Sequence, residues 1–313
     1  MRLGLGIYSM QSVPQRPDHH VKLYRDLLAD AELAESLGFD SIWLSEHHFW
    51  FDGYCPADLV AAGAVLGHTK KLRVGTAVML LPMHSVEKVA GDAATLSRLG
   101  DGRLLLGVAL GYRDSEFDGF GLRRKDRGKT MDTMLPRLAN ECAAVDPAVP
   151  LYVGVATAVA AERAARFGLP LFADSTLNIA ELRDVLAAYE AVRTAAGRPA
   201  VPHALQRDVF VTDDRERDWA MLLPELRYMR RQYGAWSFPR ERGETMAAYL
   251  DRLESDVEVK LKNLVMGTPQ ECGAKLREFE ALGFDLIVCR SQFGNLPRPA
   301  LRRAIESLGK VKA

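Results

Sequence analysis

One phrase, written more than once, constrains this chain more than any other feature. AELAESLGFDSIWLSE (Ala31 to Glu46) and KLREFEALGFDLIVCRS (Lys275 to Ser291) share one design. Apolar residues at helical spacing lead to Leu-Gly-Phe-Asp, and a short aliphatic and β-branched run follows. AERAARFGLPLFADS (Ala161 to Ser175) is a looser third copy around Gly168. Glycine just past a helix supplies the left-handed residue that closes it, and the run behind it reads as a strand buried on both faces. Helix, glycine turn and buried strand make the αβ half of a βαβ unit.

Extending that reading along the chain predicts eight strands: Leu3–Tyr8, Ser41–Ser45, Leu72–Leu80, Arg103–Ala109, Leu151–Val155, Leu169–Ala173, Ala204–Val211 and Asp285–Arg290. Helical patterns at Val21–Leu37, Val86–Leu99, Ala158–Phe167, Ile179–Ala196 and Pro269–Leu282 separate most of them. Eight strands with intervening helices point to a closed α/β barrel, the (βα)₈ or TIM barrel, more than to an open sheet. Two intervals break the rhythm. A helical excursion of roughly Asp214–Val265 precedes the last strand, and Gly111–Pro150 shows only one weak helix, Lys129–Ala144. The expectation is one barrel domain over residues 1–313, with a helical insertion at about 214–265. The length allows it, because such barrels run to about 250 residues or more as one unit.

Charge and composition exclude several classes of partner. Lys plus Arg and Asp plus Glu both number 41, so no net field recruits nucleic acid or an anionic membrane. No apolar run approaches the ~18 residues of a membrane span, and MRLGLGIYSM reads as no signal peptide. Cys55, Cys142, Cys272 and Cys289 are scattered without a C-x-x-C pair. They are read as reduced, and the protein as cytoplasmic.

The working face of such a barrel lies where the strands end and the βα loops converge. After the second strand stands Glu46-His47-His48, an acid–base cluster. Histidine exchanges protons near neutral pH, and a neighbouring carboxylate can fix its tautomer. If strand alternation continues, His47 faces one way and Glu46 and His48 the other, so the three do not ligate one ion. No H-x-H, H-x-x-x-H or Cys/His set accompanies them, and no metal is expected, with ligands spread across strands left as the alternative. The plainer alternative is a pair of polar residues solvated at a loop start. Gly4-Leu5-Gly6 lies inside a strand, too far from its helix for a dinucleotide turn. Thr157 sits between a strand and a helix start, where free N–H groups can seat a phosphate. Capping that helix would equally justify it. Asp126-Arg127-Gly128-Lys129 offers positive charge that could reach the same phosphate. Tyr8, Trp43, Met79, Phe49 and Trp50 are candidates for an apolar pocket wall.

LGFDSIWLSEHHF, LRVGTAVMLLP and LGDGRLLLGVALGYRDSEFDGFG, in that order, resemble the consecutive signatures of the bacterial luciferase-like flavin and deazaflavin oxidoreductases. MGTPQECGAKLREFEALGFDLIVCRSQFGNLP resembles their C-terminal segment. The resemblance covers residues 1–130, about 150–175 and about 265–300. It implies a luciferase-like TIM barrel binding reduced FMN, or a deazaflavin coenzyme, at its mouth. The family's catalytic histidine matches His47, flanked here by Glu46 and His48. Its cis peptide under the isoalloxazine falls near Ala77-Val78, and its phosphate-binding positions map onto Thr157 and Arg127, with Gly111 at the matching glycine. Two positions depart: Leu110 stands where the luciferase branch has a phosphate-binding Arg, and Ala156 where it has an acidic residue. The connection from Arg127 to Leu151 is also shorter than usual in the family, which implies a more open pocket.

The resemblance therefore implies an FMN-dependent monooxygenase that uses dioxygen on a small organic substrate, fed by a separate flavin reductase and assembled as a homodimer. Hydride transfer with a deazaflavin coenzyme is the second reading, and a non-catalytic flavin-binding protein the third. A metal-dependent barrel hydrolase comes last.

Overall fold

The protein is described here from a computed structural model over residues 1–12, 19–50, 52–236, 243–255 and 263–311. Its strands are β1 (Arg2–Tyr8), β2 (Ser41–Leu44), β3 (Arg73–Thr76), β4 (Met79–Leu80), β5 (Leu104–Ala109), β6 (Leu151–Val155), β7 (Leu171–Ala173), β8 (His203–Val211), β9 (Val265–Gly267) and β10 (Phe284–Arg290). All pair in parallel, in the order β10-β1-β2-β3-β5-β6-β7-β8. A further pairing of β10 with β8 closes the ring. The result is the expected eight-stranded barrel.

The helices are α1 (His19–Ser36), α2 (Asp58–His68), α3 (Val86–Leu99), α4 (Asp114–Gly119), α5 (Arg127–Ala144), α6 (Ala158–Arg166), α7 (Ile179–Ala195), α8 (Arg215–Trp236), α9 (Met246–Ser255), α10 (Pro269–Ala281) and α11 (Arg298–Leu308). The repeated Leu-Gly-Phe-Asp phrase works as its chemistry requires. Gly38 and Gly283 take φ of 78° and 111° between helix and strand, a region that costs glycine little. Helix starts are closed by side chains: Thr268 and Glu271 form a capping box at α10, and Asn178 and Glu181 another at α7.

Several elements differ from expectation. The predicted strand Leu72–Leu80 is two pieces, β3 and β4, parted at the Ala77-Val78 peptide, which is cis. α2 escapes the periodicity argument because DLVAAGAVLGH is apolar almost throughout, so no polar face marks the turn. α11 carries a readable stripe, Ala300, Leu301, Ala304, Ile305 and Leu308, all buried, which the count of strands passed over. The Gly111–Pro150 interval holds α4 as well as α5. In the insertion, α8 and α9 are helical as expected, while residues 237–242 and 256–262 lie outside the described residues. β9 adds to β8 beyond the ring.

Strand alternation sorts the core into two compartments. Trp43, Ala77, Leu105, Tyr152, Phe172, Ala204, Leu286 and Val288 pack together inside the barrel. Ile42, Leu44, Val74, Leu104, Leu106 and their like face outward to the helices. Tyr8 and Met79, expected at a pocket wall, belong to this outer compartment. Tyr8 spends its hydroxyl on buried Asp30, 3.0 Å away. Trp43 is wholly buried in the inner layer. The four cysteines are free and buried.

One core histidine makes stability depend on pH. His203, 5% exposed, packs edge-on against Tyr189 and accepts the Leu171 N–H at its Nδ1, 3.2 Å away. Burial pulls its pKa down to about 4, so the ring is neutral in the fold. The unfolded chain, near 6.5, binds the proton first as pH falls. Stability from this group is complete above about pH 6.5 and is lost on the way down to 4. By pH 5 the loss is about 2 kcal/mol. Urea unfolding at pH 7 and pH 5 checks this. The drop should shrink by that amount in His203→Gln, and an equal drop in both proteins would refute it.

Candidate active site at the C-terminal end of the barrel

Beyond β2 the alternation continues and splits the Glu46-His47-His48 run, as expected. His47 enters an aromatic enclosure of Tyr54, Tyr112 and Trp236, at ring-centroid distances of 4.7, 5.6 and 4.8 Å. Its Nδ1 lies 2.8 Å from Glu116 Oε1. That oxygen also accepts from the His48 N–H (2.8 Å) and from Arg113 Nη1 (3.2 Å), so it is the acceptor and His47 Nδ1 the donor. Nε2 is thereby left as the ring's working nitrogen.

Arg113 and Glu116 come from the start of α4, in the loop after β5. Both are buried, at 1% and 0% exposure. The Arg113 guanidinium stacks on Trp236 (4.4 Å) and Trp50 (5.1 Å) and donates to the His48 carbonyl at 3.0 Å. Tyr54 links the enclosure to α8: its hydroxyl lies 2.7 Å from Ser45 Oγ and 3.3 Å from the Tyr233 hydroxyl. Arg290, ending β10, pairs with Asp208 of β8 through two bonds of 2.7 and 2.8 Å. Residue-by-residue reading of the sequence passed over Arg113, Glu116, Tyr54, Tyr233 and Trp236. Arg113 and Glu116 alone carried a signal, since both stand within the GYRDSEFDGFG phrase.

The openness of the site differs from expectation. His47 is 6% exposed, because the end of α8 lays Trp236 over its ring. Phe49 is exposed, and Trp50 joins Trp236 edge-on at 5.8 Å.

Glu46 and His48 do not share His47's surroundings. Glu46 is buried at 1% exposure, and its Oε1 receives both His48 Nε2 (2.5 Å) and His84 Nε2 (2.7 Å). Its Oε2 accepts the Leu80 N–H at 2.6 Å. Burial works to raise this carboxyl, but the hydrogen bonds of both imidazoles prevail and hold it at about 2.

The remaining predicted positions lie around the mouth. Ala77 and Val78 pack against the inner barrel layer. Gly111, with φ of 72°, follows β5, and an added Cβ would meet Met83 and Phe117. Thr157 is exposed and caps α6, its Oγ accepting the Ala160 N–H at 3.3 Å. Arg127 opens α5, half buried, and donates to the Arg124 carbonyl at 2.9 Å. Among the described residues no hydrogen bond joins Arg127 to Thr157.

Comparison with known proteins places this architecture. The family model described as luciferase-like monooxygenase matches residues 4–138 and 128–286. The alkanal monooxygenase alpha chain of Photorhabdus luminescens is 30% identical over 217 residues, 62% of this chain and 60% of that protein. The chain thus spans about three fifths of that relative's length. Two solved structures share the fold. The oxygenating constituent of 3,6-diketocamphane monooxygenase from Pseudomonas putida, in complex with FMN, superposes with a TM-score of 0.78 at 17% identity, covering 99% of this chain and 97% of that one. An F420-dependent secondary alcohol dehydrogenase with an F420–acetone adduct gives 0.75 at 17% identity, covering 100% and 99%. The family match runs from the first strand into the last without a gap, over a ring of strands that closes as those structures do. This chain therefore belongs to the luciferase-like monooxygenase family and is an oxidoreductase of that family.

Proposed function

We propose that the protein is a flavin-dependent monooxygenase, taking reduced FMN from a separate reductase and placing one atom of dioxygen on a small organic substrate. The second oxygen atom leaves as water. The observation that carries this reading is the His47–Glu116 pair, an imidazole with one nitrogen tied down and the other turned to an aromatic enclosure.

The residues present fit a flavin. The inner layer of Trp43, Leu105, Tyr152 and Phe172 fills the barrel, and Ala77 with the half-buried Val78 above it would offer a flat tricyclic ring an apolar seat. The α6 start is exposed from Ala156 to Val159, so its N–H groups, Thr157 and the guanidinium of Arg127 would hold the phosphate, with Gly111 at the edge of the mouth. FMN, when bound and reduced, supplies the activation of dioxygen. His47 holds or moves a proton at Nε2, and Glu116 keeps the ring in the tautomer that allows it. Tyr54, Tyr112 and Trp236 exclude water from that proton. For a bound ring system to meet the imidazole, Trp236 has to swing aside.

A second reading, hydride transfer with a deazaflavin coenzyme, draws on Leu110 and Ala156, which leave the FMN phosphate clasp thinner than in the luciferase branch. The likeness to the F420-dependent dehydrogenase supports it as well. In both readings the protein is taken as a cytoplasmic homodimer; no described helix is long and apolar enough to cross a membrane.

Anaerobic mixing with each reduced cofactor, followed by admission of dioxygen and a panel of small substrates, tests the proposal. Flavin binding with oxygenated product is expected from reduced FMN. Tight binding of the deazaflavin, with no oxygenation from either cofactor, would replace the monooxygenase reading by the second.

A further inference from the structure

We propose that Glu46, His48 and His84 form a binding site for a divalent transition-metal ion of the zinc type, on the outer side of the barrel beside the His47 enclosure. The three donor atoms, Glu46 Oε1 and the two Nε2 nitrogens, all lie within 4.8 Å of one another. They come from separate parts of the chain: Glu46 and His48 from the end of β2, and His84 from the turn between β4 and α3. Two imidazoles and one carboxylate are a recurrent first-row metal set, and imidazole nitrogen suits zinc, cobalt and nickel.

Geometry and charge both favour an ion here. Two imidazoles aim the same kind of nitrogen at one carboxylate oxygen, at 2.5 and 2.7 Å. Ligands on a tetrahedral ion with bonds of about 2.1 Å stand about 3.4 Å apart, so each imidazole nitrogen would part from the carboxylate oxygen by under about 1 Å to admit the ion. The support behind the ligands is already built. Glu46 is anchored by the Leu80 N–H, and the His48 N–H is held by Glu116. Asp58, at the start of α2, feels the charges of Glu46 and His84, is 1% exposed, and has an Oδ2 without a hydrogen-bond partner among the described residues. No lysine or arginine among the described residues pairs with Glu46 or Asp58, so the two imidazoles are the groups that face the Glu46 carboxylate. The His84 side chain is 26% exposed, which gives an ion and a completing water a way in.

The ion is structural. It ties the end of β2 to the turn before α3, one residue on either side of His47, and takes no part in redox chemistry. Its test is accordingly independent of flavin. The full-length protein, stripped by chelator and passed through a desalting column, is titrated with Zn²⁺ and with Co²⁺. Stoichiometric uptake at micromolar metal is expected, with the intense visible bands of low-coordinate cobalt. His84→Ala should weaken uptake about 100-fold. His84→Cys should restore it and add a thiolate-to-cobalt charge-transfer band, which marks residue 84 as a ligand even if the alanine variant folds poorly. Absence of stoichiometric uptake by the unaltered protein would overturn the site. Cobalt spectra unchanged across all three proteins would do the same.

Discussion

If the proposed oxygenation runs through His47, replacing it by alanine should lower the rate by about 10²–10⁴-fold, the range typical for loss of a positioned proton carrier. Flavin affinity should change only a few-fold, because the positions proposed to hold the ring and the phosphate do not include the imidazole. Glu116→Gln sharpens the test. Glutamine keeps an oxygen that can accept from Nδ1 but removes the charge shared by Arg113, His47 and the His48 N–H. Leaving Arg113 buried without its carboxylate costs stability as well, so the variant is compared at a temperature where both proteins are folded. The deficit should fall on turnover rather than on flavin binding, and Glu116→Asp should recover part of it. Stopped-flow kinetics with pre-reduced flavin separates the two. Oxygenation by His47→Ala at near the unaltered rate would remove His47 from the chemistry, whereas flavin binding with no oxygenation by the unaltered protein would favour a protein that binds flavin without using it.

The largest effect on folding is expected at Gly107. It lies in the middle of β5, where Thr76 Oγ1 donates to its carbonyl at 2.8 Å and accepts its N–H at 2.9 Å. A Cβ at residue 107 would sit well inside van der Waals contact distance of the Thr76 carbonyl oxygen, with Val78 Cγ1 at 3.4 Å. The clash is with backbone, so no side-chain rotation relieves it. Relief has to come from parting β3 and β5, next to Ala77 and Val78 of the barrel floor. Gly107→Ala should cost about 3 kcal/mol or more, at the upper end for overpacking. The melting temperature should fall by roughly 6–12 °C at the 2–4 °C per kcal/mol usual for chains of this order of size. Gly91→Ala, on α3 with nothing within 4 Å of the new atom, is the matched control and should hold or gain slightly. Equal melting temperatures for both variants would mean that β3 and β5 are not packed as described.

How much of this was legible beforehand follows the range of each interaction. Strand β2, the glycine turn before it and the opposed aims of His47 and its two neighbours are matters of adjacent residues, and the helix–glycine–strand phrase with strand alternation carried them. The cis position at Ala77-Val78 came through the resemblance to a family and the cap at Thr157 through its place between strand and helix, and both are seen. α2 was hidden because an element apolar on nearly every side shows no period. Glu116 reaches His47 across 69 residues, His84 reaches Glu46 across 38, and Tyr233 reaches Tyr54 across 179. Pairings at that distance leave no spacing in the chain.

From its residues alone, then, the chain was bound to wind into repeated βα units, because helix period, left-handed glycine and buried strand are local choices that agree. The carboxylate that orients His47 and the tryptophan that covers it were decided only in three dimensions. They depend on which loops the closed barrel brings together at one end, and that is a property of the assembled ring rather than of any segment in it.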